Sequence, residues 1–345
     1  MSDPVFSWQV DLWRRLMQLR DRMPHALLLH GRQGIGKFAL AQRLAEALLC
    51  ESPSADGYAC RQCVSCGWLA QGNHPDFRLL EPEDRAEDEG GDSVGEAISA
   101  VRSRKKSHYI LIDQIRALSN LVGLTSHRHG LRVVILHPAE TLNPNAANSL
   151  LKMLEEPPPA TLFILVTHQL PRLLPTIRSR CHKVAIPTPS RSEAQNWLAE
   201  QDVADPDFCL AQSGGAPMAA LELDNPELRK SIEGFARQLT GCGRIDPATC
   251  ATHWSKEDYS LALAALQKWS YDLTSSRLAG FVRYYPAQAA TLQSMAKSVD
   301  LGALLDFQRK LAEAQAQASH PLNTELQLEA LLVRYSQMFP ATARP

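Results

Sequence analysis

The stretch His25-Ala-Leu-Leu-Leu-His-Gly31-Arg-Gln-Gly-Ile-Gly-Lys37-Phe38 decides the fold of the amino-terminal half. Its apolar run predicts a buried strand, and the glycine-rich segment that follows it opens a helical pattern. This is the setting of a phosphate-binding loop, because glycines let backbone amides turn toward phosphate oxygens and the helix start adds partial positive charge. Four residues are therefore candidates for binding phosphate: Gly31, Gly34, Gly36 and Lys37.

The loop lacks groups that nucleotide hydrolysis needs. Its last position should carry a Ser or Thr hydroxyl for magnesium, but Phe38 offers only an apolar ring. The predicted strand at 132–136 should lead into metal-binding and water-activating carboxylates, whereas His137-Pro138 follows it. For His137 alone, a hydrogen-bonded histidine at a strand end is the simpler interpretation. We expect no magnesium site and no ATPase activity, while nucleotide binding by this degenerate loop stays open.

Short apolar runs and amphipathic segments alternate along the first half of the chain. The apolar runs lie at 26–29, 77–80, 132–136 and 162–167, and the helical patterns lie at 38–49, about 113–122 and 146–154. This alternation predicts an α/β domain with a parallel sheet flanked by helices, within residues 1–186. Residues 187–224 predict a small helical lid, broken by Gly214-Gly215. Residues 225–345 predict an all-helical domain, with aromatic residues such as Trp269 and Tyr271 in its core.

Composition and charge limit the class of protein. The 345 residues are 45% apolar, which is enough for several cores. Lys and Arg total 36 against 37 Asp and Glu, so the chain lacks the basic excess of a stand-alone nucleic-acid binder. It shows no membrane-spanning run and no signal peptide, so we expect a cytoplasmic protein. The charged segment 83–107 predicts a solvated insertion, for which no role follows.

Four of the eight cysteines have the spacing of metal ligands. They are Cys50, Cys60, Cys63 and Cys66, of which the last three form two overlapping Cys-x-x-Cys knuckles. Four thiolates form the closed tetrahedral shell of a structural zinc site, with no open position for catalysis. Two alternatives are a set of unrelated cysteines and a redox pair formed by Cys60 and Cys63.

Several specific motifs occur together along the chain. Besides the phosphate loop and the cysteine knuckle, they are Gly72-Asn-His-Pro-Asp-Phe77, Ile112-Asp-Gln-Ile-Arg116, Asn145-Ala-Ala-Asn-Ser-Leu-Leu-Lys-Met-Leu-Glu-Glu-Pro157 and Thr176-Ile-Arg-Ser-Arg-Cys181. In combination they resemble the clamp-loader branch of the AAA+ superfamily, in its bacterial DNA polymerase III form. The resemblance covers almost the whole chain, and its last two motifs are the most specific.

The resemblance implies roles for individual residues. In that family a Ser-Arg-Cys motif faces the next subunit, and its arginine reaches the neighbour's ATP site. Ser179-Arg180-Cys181 matches it, so Arg180 is implied to be an arginine finger acting in trans, with a surface ion pair as the alternative. Thr167 falls near the family's sensor of the terminal phosphate, but it is equally a strand-end capping residue. Met218 stands where active loaders carry a second sensor arginine.

The function implied by the resemblance is an assembly role in chromosome replication. The chain would be a non-hydrolysing stator of the DNA polymerase III clamp loader at the replisome, with its third domain in a helical collar. The implied partners are motor (gamma or tau) and delta subunits, the sliding clamp, and primed DNA contacted through the assembly. Two rivals remain. They are a self-sufficient AAA+ ATPase that uses Lys37 and acts on nucleic acid, and a zinc-dependent nucleic-acid binder that uses Arg61.

Overall fold

The computed structural model describes residues 5–84, 107–122, 130–241, 245–257, 259–316 and 323–339. The chain divides into two compact units, Met1–Glu193 and Ala194–Pro345. Apart from its two ends, the charged insertion expected at 83–107 lies outside the described residues.

A five-stranded parallel sheet forms the centre of the first unit. Its strands are β1 (Ala26–His30), β2 (Phe77–Leu80), β3 (Arg132–Leu136), β4 (Thr161–Thr167) and β5 (His182–Ala185), in the order β2-β3-β4-β1-β5. The chain leaves β1 toward one edge of the sheet and leaves β4, its neighbour, toward the other. The carboxyl ends of these two strands therefore form a topological switch point, where ligands of α/β proteins usually bind.

Helices cover the sheet of the first unit. They are α1 (Val10–Gln18), α2 (Lys37–Leu49), α3 (Val64–Ala70), α4 (Ile112–Val122), α5 (Pro144–Glu155) and α6 (Pro175–Arg180). Helix α2 packs on β1, β3 and β4, whereas α4, α5 and α6 share a core with one face of the sheet through Ile115, Leu150 and Ile177. Helix α5 begins after Asn143, whose side chain accepts the Ala146 N–H at 2.7 Å.

The second unit is helical throughout the part of it that the structure describes. Helix α7 (Arg191–Ala199) crosses the boundary between the units, and the helices after it are α8 (Pro206–Gln212), α9 (Pro217–Leu221), α10 (Pro226–Leu239), α11 (Pro247–Glu257), α12 (Tyr259–Ala279), α13 (Ala289–Ser298), α14 (Leu301–Ala316) and α15 (Thr324–Gln337). In its core, Trp269 Nε1 donates to Tyr335 Oη at 2.9 Å, and that hydroxyl donates to the Leu239 carbonyl at 2.7 Å. No described helix is long and apolar enough to cross a membrane.

The expected fold class is confirmed: a parallel α/β sheet is followed by helices. Two details of the sequence prediction are wrong. Strand β5 was not among the predicted strands, because of its four residues only Val184 is buried and no apolar run marks it. Tyr271 was expected in the core, but it is 42% exposed, since two positions along a helix rotate it about 200° away from buried Trp269.

The lid expected at 187–224 corresponds to helices with a small core of their own. That cluster contains Ala194, Leu198, Cys209 and Ala220, and the larger core of the second unit begins at Ile232. The division of the chain into domains at 1–186, 187–224 and 225–345 stays a prediction.

Candidate functional site

The phosphate loop connects β1 to α2, at the switch point of the sheet. Gly34 and Gly36 have φ angles of 74° and 83°, which glycine adopts at little cost and other residues rarely adopt. Helix α2 begins at Lys37, so the loop ends at the positive pole of a helix. The four predicted phosphate-binding positions therefore lie in one glycine-rich turn that ends at the start of a helix.

Lys37 is bonded to its own loop. Its side chain is buried, with the residue 2% exposed, and its Nζ donates to the Arg32 carbonyl. Burial lowers the pKa of Lys37 to about 8, and the negative charge of Glu140 acts in the opposite direction. The ammonium is thus held inside the loop by a backbone acceptor.

An aromatic stack fills the place expected for a metal shell. The Phe38 ring stacks on His137 with centroids 4.3 Å apart and planes inclined by 12°. His137 Nδ1 donates to Glu81 Oε1 at 3.0 Å, and both side chains are nearly buried. The hydrogen-bonded strand-end histidine expected from the sequence is what the structure shows. Of the two carboxylates near this stack, Glu81 bonds to His137, and Glu140 Oε1 accepts the His168 N–H at 2.9 Å.

Thr167 lies at the same edge of the sheet as the phosphate loop. It is the last residue of β4 and pairs with His30 of β1. It is fully buried, and its Oγ1 accepts the Gln169 N–H at 3.2 Å. In this structure its hydroxyl therefore caps the strand end.

Arg180 is the last residue of α6. Its Nη2 contacts Glu155 Oε1 at 2.6 Å, and its Nη1 donates to the Thr176 carbonyl at 3.0 Å. The side chain is 34% exposed, so its guanidinium is accessible from solvent. The surface ion pair that the sequence left open as an alternative is present in the isolated chain.

The four predicted metal ligands lie together. The Sγ atoms of Cys50, Cys60, Cys63 and Cys66 are all within 4.8 Å of one another, and those of Cys50 and Cys63 are 4.0 Å apart. Tetrahedral zinc with Zn–S bonds of about 2.3 Å requires sulfur atoms about 3.8 Å apart. The cluster therefore has the size and the ligand type of a metal site.

Backbone amides point at the sulfurs of this cluster. Cys60 Sγ accepts the N–H groups of Gln62 at 3.5 Å and Cys63 at 3.3 Å, and Cys63 Sγ accepts the N–H of Cys66 at 3.4 Å. The hydrogen bonds from Gln62 and Cys63 lower the pKa of Cys60 to about 6, whereas burial raises the pKa of Cys50 and Cys66. Four thiolates at this distance would repel one another, so all four cysteines would lose their protons together only around a bound cation.

Sequence reasoning missed the support behind the cluster. The Asp76 N–H donates to His74 Nδ1 at 3.1 Å, so the proton of the neutral ring is on Nε2, which donates to Ser65 Oγ at 2.7 Å. Ser65 Oγ in turn donates to the Leu49 carbonyl at 2.6 Å. This series of hydrogen bonds joins α3 to the end of α2, directly beside two of the clustered cysteines. The motif at 72–77 contains His74, but nothing in that motif predicts a contact with Ser65.

Known proteins resemble this chain over most of its length. Residues 9–190, more than half of the chain, match the family model described as DNA polymerase III, delta subunit. A DNA polymerase III subunit delta-prime from Pseudomonas aeruginosa is 36% identical, over 98% of this chain and 99% of its own length. The chain belongs to the DNA polymerase III delta-prime family.

Other relatives and solved structures extend this finding. The delta-prime subunit of Yersinia pestis is 31% identical over 90% of this chain and 89% of its own length. A solved DNA polymerase III gamma-subunit-related protein of Thermotoga maritima covers 96% of this chain and 99% of its own, at 18% identity and a TM-score of 0.40. At this TM-score the structural similarity supports no further conclusion.

Proposed function

We propose that this chain is the non-hydrolysing stator of the DNA polymerase III clamp loader and that it supplies Arg180 to a neighbouring ATPase subunit. The stack of Phe38 on His137 is the observation that supports the non-hydrolysing role. Magnesium takes oxygen ligands in near-octahedral geometry, and neither ring offers an oxygen. Because Pro138 follows, no carboxylate stands directly after the strand to polarise a water molecule.

The exposure of Arg180 supports the second half of the proposal. Ion pairs between exposed groups contribute only about 0 to 1 kcal/mol, so the contact with Glu155 is readily exchanged for a stronger one. An arginine finger on a transferring phosphoryl group contributes about 10³ to 10⁵ in rate, or about 4 to 7 kcal/mol. Breaking the contact with Glu155 would therefore cost only a small part of the transition-state stabilisation that an arginine finger supplies.

The remaining roles follow from the family. The motor (gamma or tau) and delta subunits are the proposed partners, and the helices after residue 224 form the proposed collar contact with them. The sliding clamp and primed DNA are reached through the assembly, since the chain itself has a net charge of -1. We place its action in the cytoplasm, at the replisome. Structural Zn²⁺, held by Cys50, Cys60, Cys63 and Cys66, would close the shell of the cysteine cluster and fix its loop.

A reconstituted loader tests the finger. Arg180→Ala should lower DNA-stimulated ATP hydrolysis by the loader while its subunits still co-elute in gel filtration. Arg178→Ala is the matched control, because Arg178 lies on the same short helix and is not assigned this role. Unchanged hydrolysis with Arg180→Ala would refute the assignment.

The isolated chain tests the absence of hydrolysis. With ATP and Mg²⁺ it should show no turnover above the contaminant level, measured as phosphate release. Sustained turnover that disappears in Lys37→Ala would instead establish the rival, a self-sufficient ATPase. Titration with primed DNA at moderate salt should show little affinity, whereas tight binding lost in Arg61→Ala would favour the nucleic-acid binder.

A further inference from the structure

The amino-terminal arm, residues 5–9, packs against the carbonyl side of the phosphate loop. Trp8 Nε1 donates to the Ile35 carbonyl at 3.1 Å. Gln9 Nε2 donates to the same carbonyl at 2.9 Å and to the Gly36 carbonyl at 3.1 Å. Trp8 and Gln9 are both buried, so these hydrogen bonds are protected from competing water.

Apolar packing holds the arm at the same place. The Phe6 ring stacks on Trp8 with centroids 4.7 Å apart and planes within 3° of parallel. A β-carbon added to Gly36 would lie 2.4 Å from Phe6 Cε2, so the ring occupies the space that any side chain at this position would need. Gly36 thus serves both the turn and the contact with the arm.

These contacts bear on the shape of the loop. When successive amides of a glycine turn converge on one side, the carbonyls of the same peptides point to the other side and need donors there. The indole of Trp8 and the amide of Gln9 are those donors for Ile35, and Gln9 adds a second donor to the Gly36 carbonyl, which also accepts the Leu40 N–H at 3.0 Å. Losing both would leave the buried Ile35 carbonyl unpaired, which favours a different backbone conformation there, whereas Gly36 would keep its bond from the Leu40 N–H.

The arm continues into α1, and α1 is attached to the loop between the first two cysteines. Trp13 Nε1 donates to the Asp56 carbonyl at 3.1 Å, and the Trp13 ring stacks on Tyr58 with centroids 4.9 Å apart. One turn further along, Met17 packs against Gly57, where an added β-carbon would lie 2.6 Å from Met17 Sδ. Asp56, Gly57 and Tyr58 belong to the segment that a metal ion would close between Cys50 and Cys60.

We infer that the zinc module, which is the segment 50–66 with the zinc ion proposed to bind its four cysteines, anchors the amino-terminal arm through Trp13, and that the arm in turn fixes the backbone of the phosphate loop through Trp8 and Gln9. Trp8, Gln9 and Trp13 are positioning residues. Their contacts run from the cysteine cluster to α1, from α1 to the arm, and from the arm to the phosphate loop, and we call this series of contacts the route. The inference rests on the proposed zinc ion but not on the stator or finger roles. It gives the zinc module a role at the phosphate loop, to which the module is linked through α1 and the arm.

Hydrogen exchange followed by mass spectrometry on the full chain tests the whole route. Zinc removal by a chelator should speed exchange about tenfold in residues 5–18 and 31–37, while β3 and β4 keep their protection. Unchanged exchange in the loop would overturn the inference. Equal loss of protection in β3 and β4 would overturn it as well, because zinc would then hold the entire unit rather than this route.

Two variants test the separate links with zinc still bound. Gln9→Ala should keep the zinc content and speed exchange in 31–37, whereas Gln18→Ala, an exposed glutamine on α1, should change neither. Trp13→Phe keeps a ring against Tyr58 but removes the donor to Asp56, and it should speed exchange in the arm.

The outcomes separate the two proposals. Wild-type exchange of the loop in Gln9→Ala, or of the arm in Trp13→Phe, would overturn the corresponding link whatever the metal content. A purified chain without zinc would instead refute the zinc proposal, and with it the anchoring role, while Gln9→Ala would still report on the arm and the loop.

Discussion

Replacing Lys37 by methionine should stabilise the protein at neutral pH and not at pH 10.5. The ammonium of Lys37 is buried, and this burial lowers its pKa from 10.5 to about 8. At about 1.4 kcal/mol per pH unit, the difference corresponds to about 3 kcal/mol of penalty on the charged form in the folded state. Methionine fills a similar volume without a charge, so Lys37→Met removes that penalty.

The sign of the pH dependence follows from proton binding. Between pH 8 and 10.5 the unfolded chain still carries the proton on Lys37, while the folded chain has begun to lose it. The free energy of unfolding of the wild type should therefore rise across this window relative to Lys37→Met. Below pH 8 the full penalty applies, and the variant should be more stable by up to about 3 kcal/mol, less the loss of the hydrogen bond to Arg32.

Urea unfolding followed by circular dichroism at pH 7, 8, 9, 10 and 10.5 measures this difference. Lys152→Met, which removes an exposed lysine on α5, provides the baseline for losing one surface charge. A stability difference between wild type and Lys37→Met that stays constant from pH 7 to 10 would contradict the reasoning. So would an NMR titration in which the Lys37 side chain shows its midpoint near 10.5.

The remaining predictions concern the metal site and the core of the second unit. Elemental analysis should find about one zinc per chain, and Cys63→Ser should reduce it strongly; well under one zinc in the wild type would count against the site. Ser65→Ala breaks the chain from His74 to the Leu49 carbonyl, so zinc should transfer to a chromogenic chelator about tenfold faster. Tyr335→Phe leaves a buried carbonyl without its donor and should lower the free energy of unfolding by about 1 to 3 kcal/mol, measured in urea.

Local patterns predicted the parts of the fold that depend on local sequence. Strands β3 and β4 are buried at every position and are apolar between the end residues Arg132, Thr161 and Thr167, so a continuous apolar run was sufficient to find them. The cysteine cluster was found because its ligands are close in sequence, and the spacing of a knuckle survives any change in the rest of the fold. Strand β5 has no continuous apolar run that would predict it, because at the edge of the sheet only its Val184 is buried.

Contacts between distant segments could not be predicted in this way. The indole of Trp8 and the carbonyl of Ile35 are 27 positions apart, and the periodicity of neither segment predicts their hydrogen bond. The same holds for His137 and Glu81, which are 56 positions apart. The sequence predicted that a metal ligand was missing at the loop, but only the structure shows the aromatic stack that stands there.

That stack explains why restoring one ligand should not restore hydrolysis. Phe38→Thr would supply the hydroxyl that the phosphate loop lacks, but His137 would still bond to Glu81 in a nearly buried pair and withhold that carboxylate. The ammonium of Lys37 would still bond to the Arg32 carbonyl, and Pro138 would still follow the strand. Magnesium needs several oxygen ligands at once, so the hydroxyl supplied by Phe38→Thr would not create a magnesium site without the other ligands. Under the proposed non-hydrolysing role, Phe38, His137 and Lys37 are each engaged with neighbouring residues, so several positions would have to change together before hydrolysis could occur.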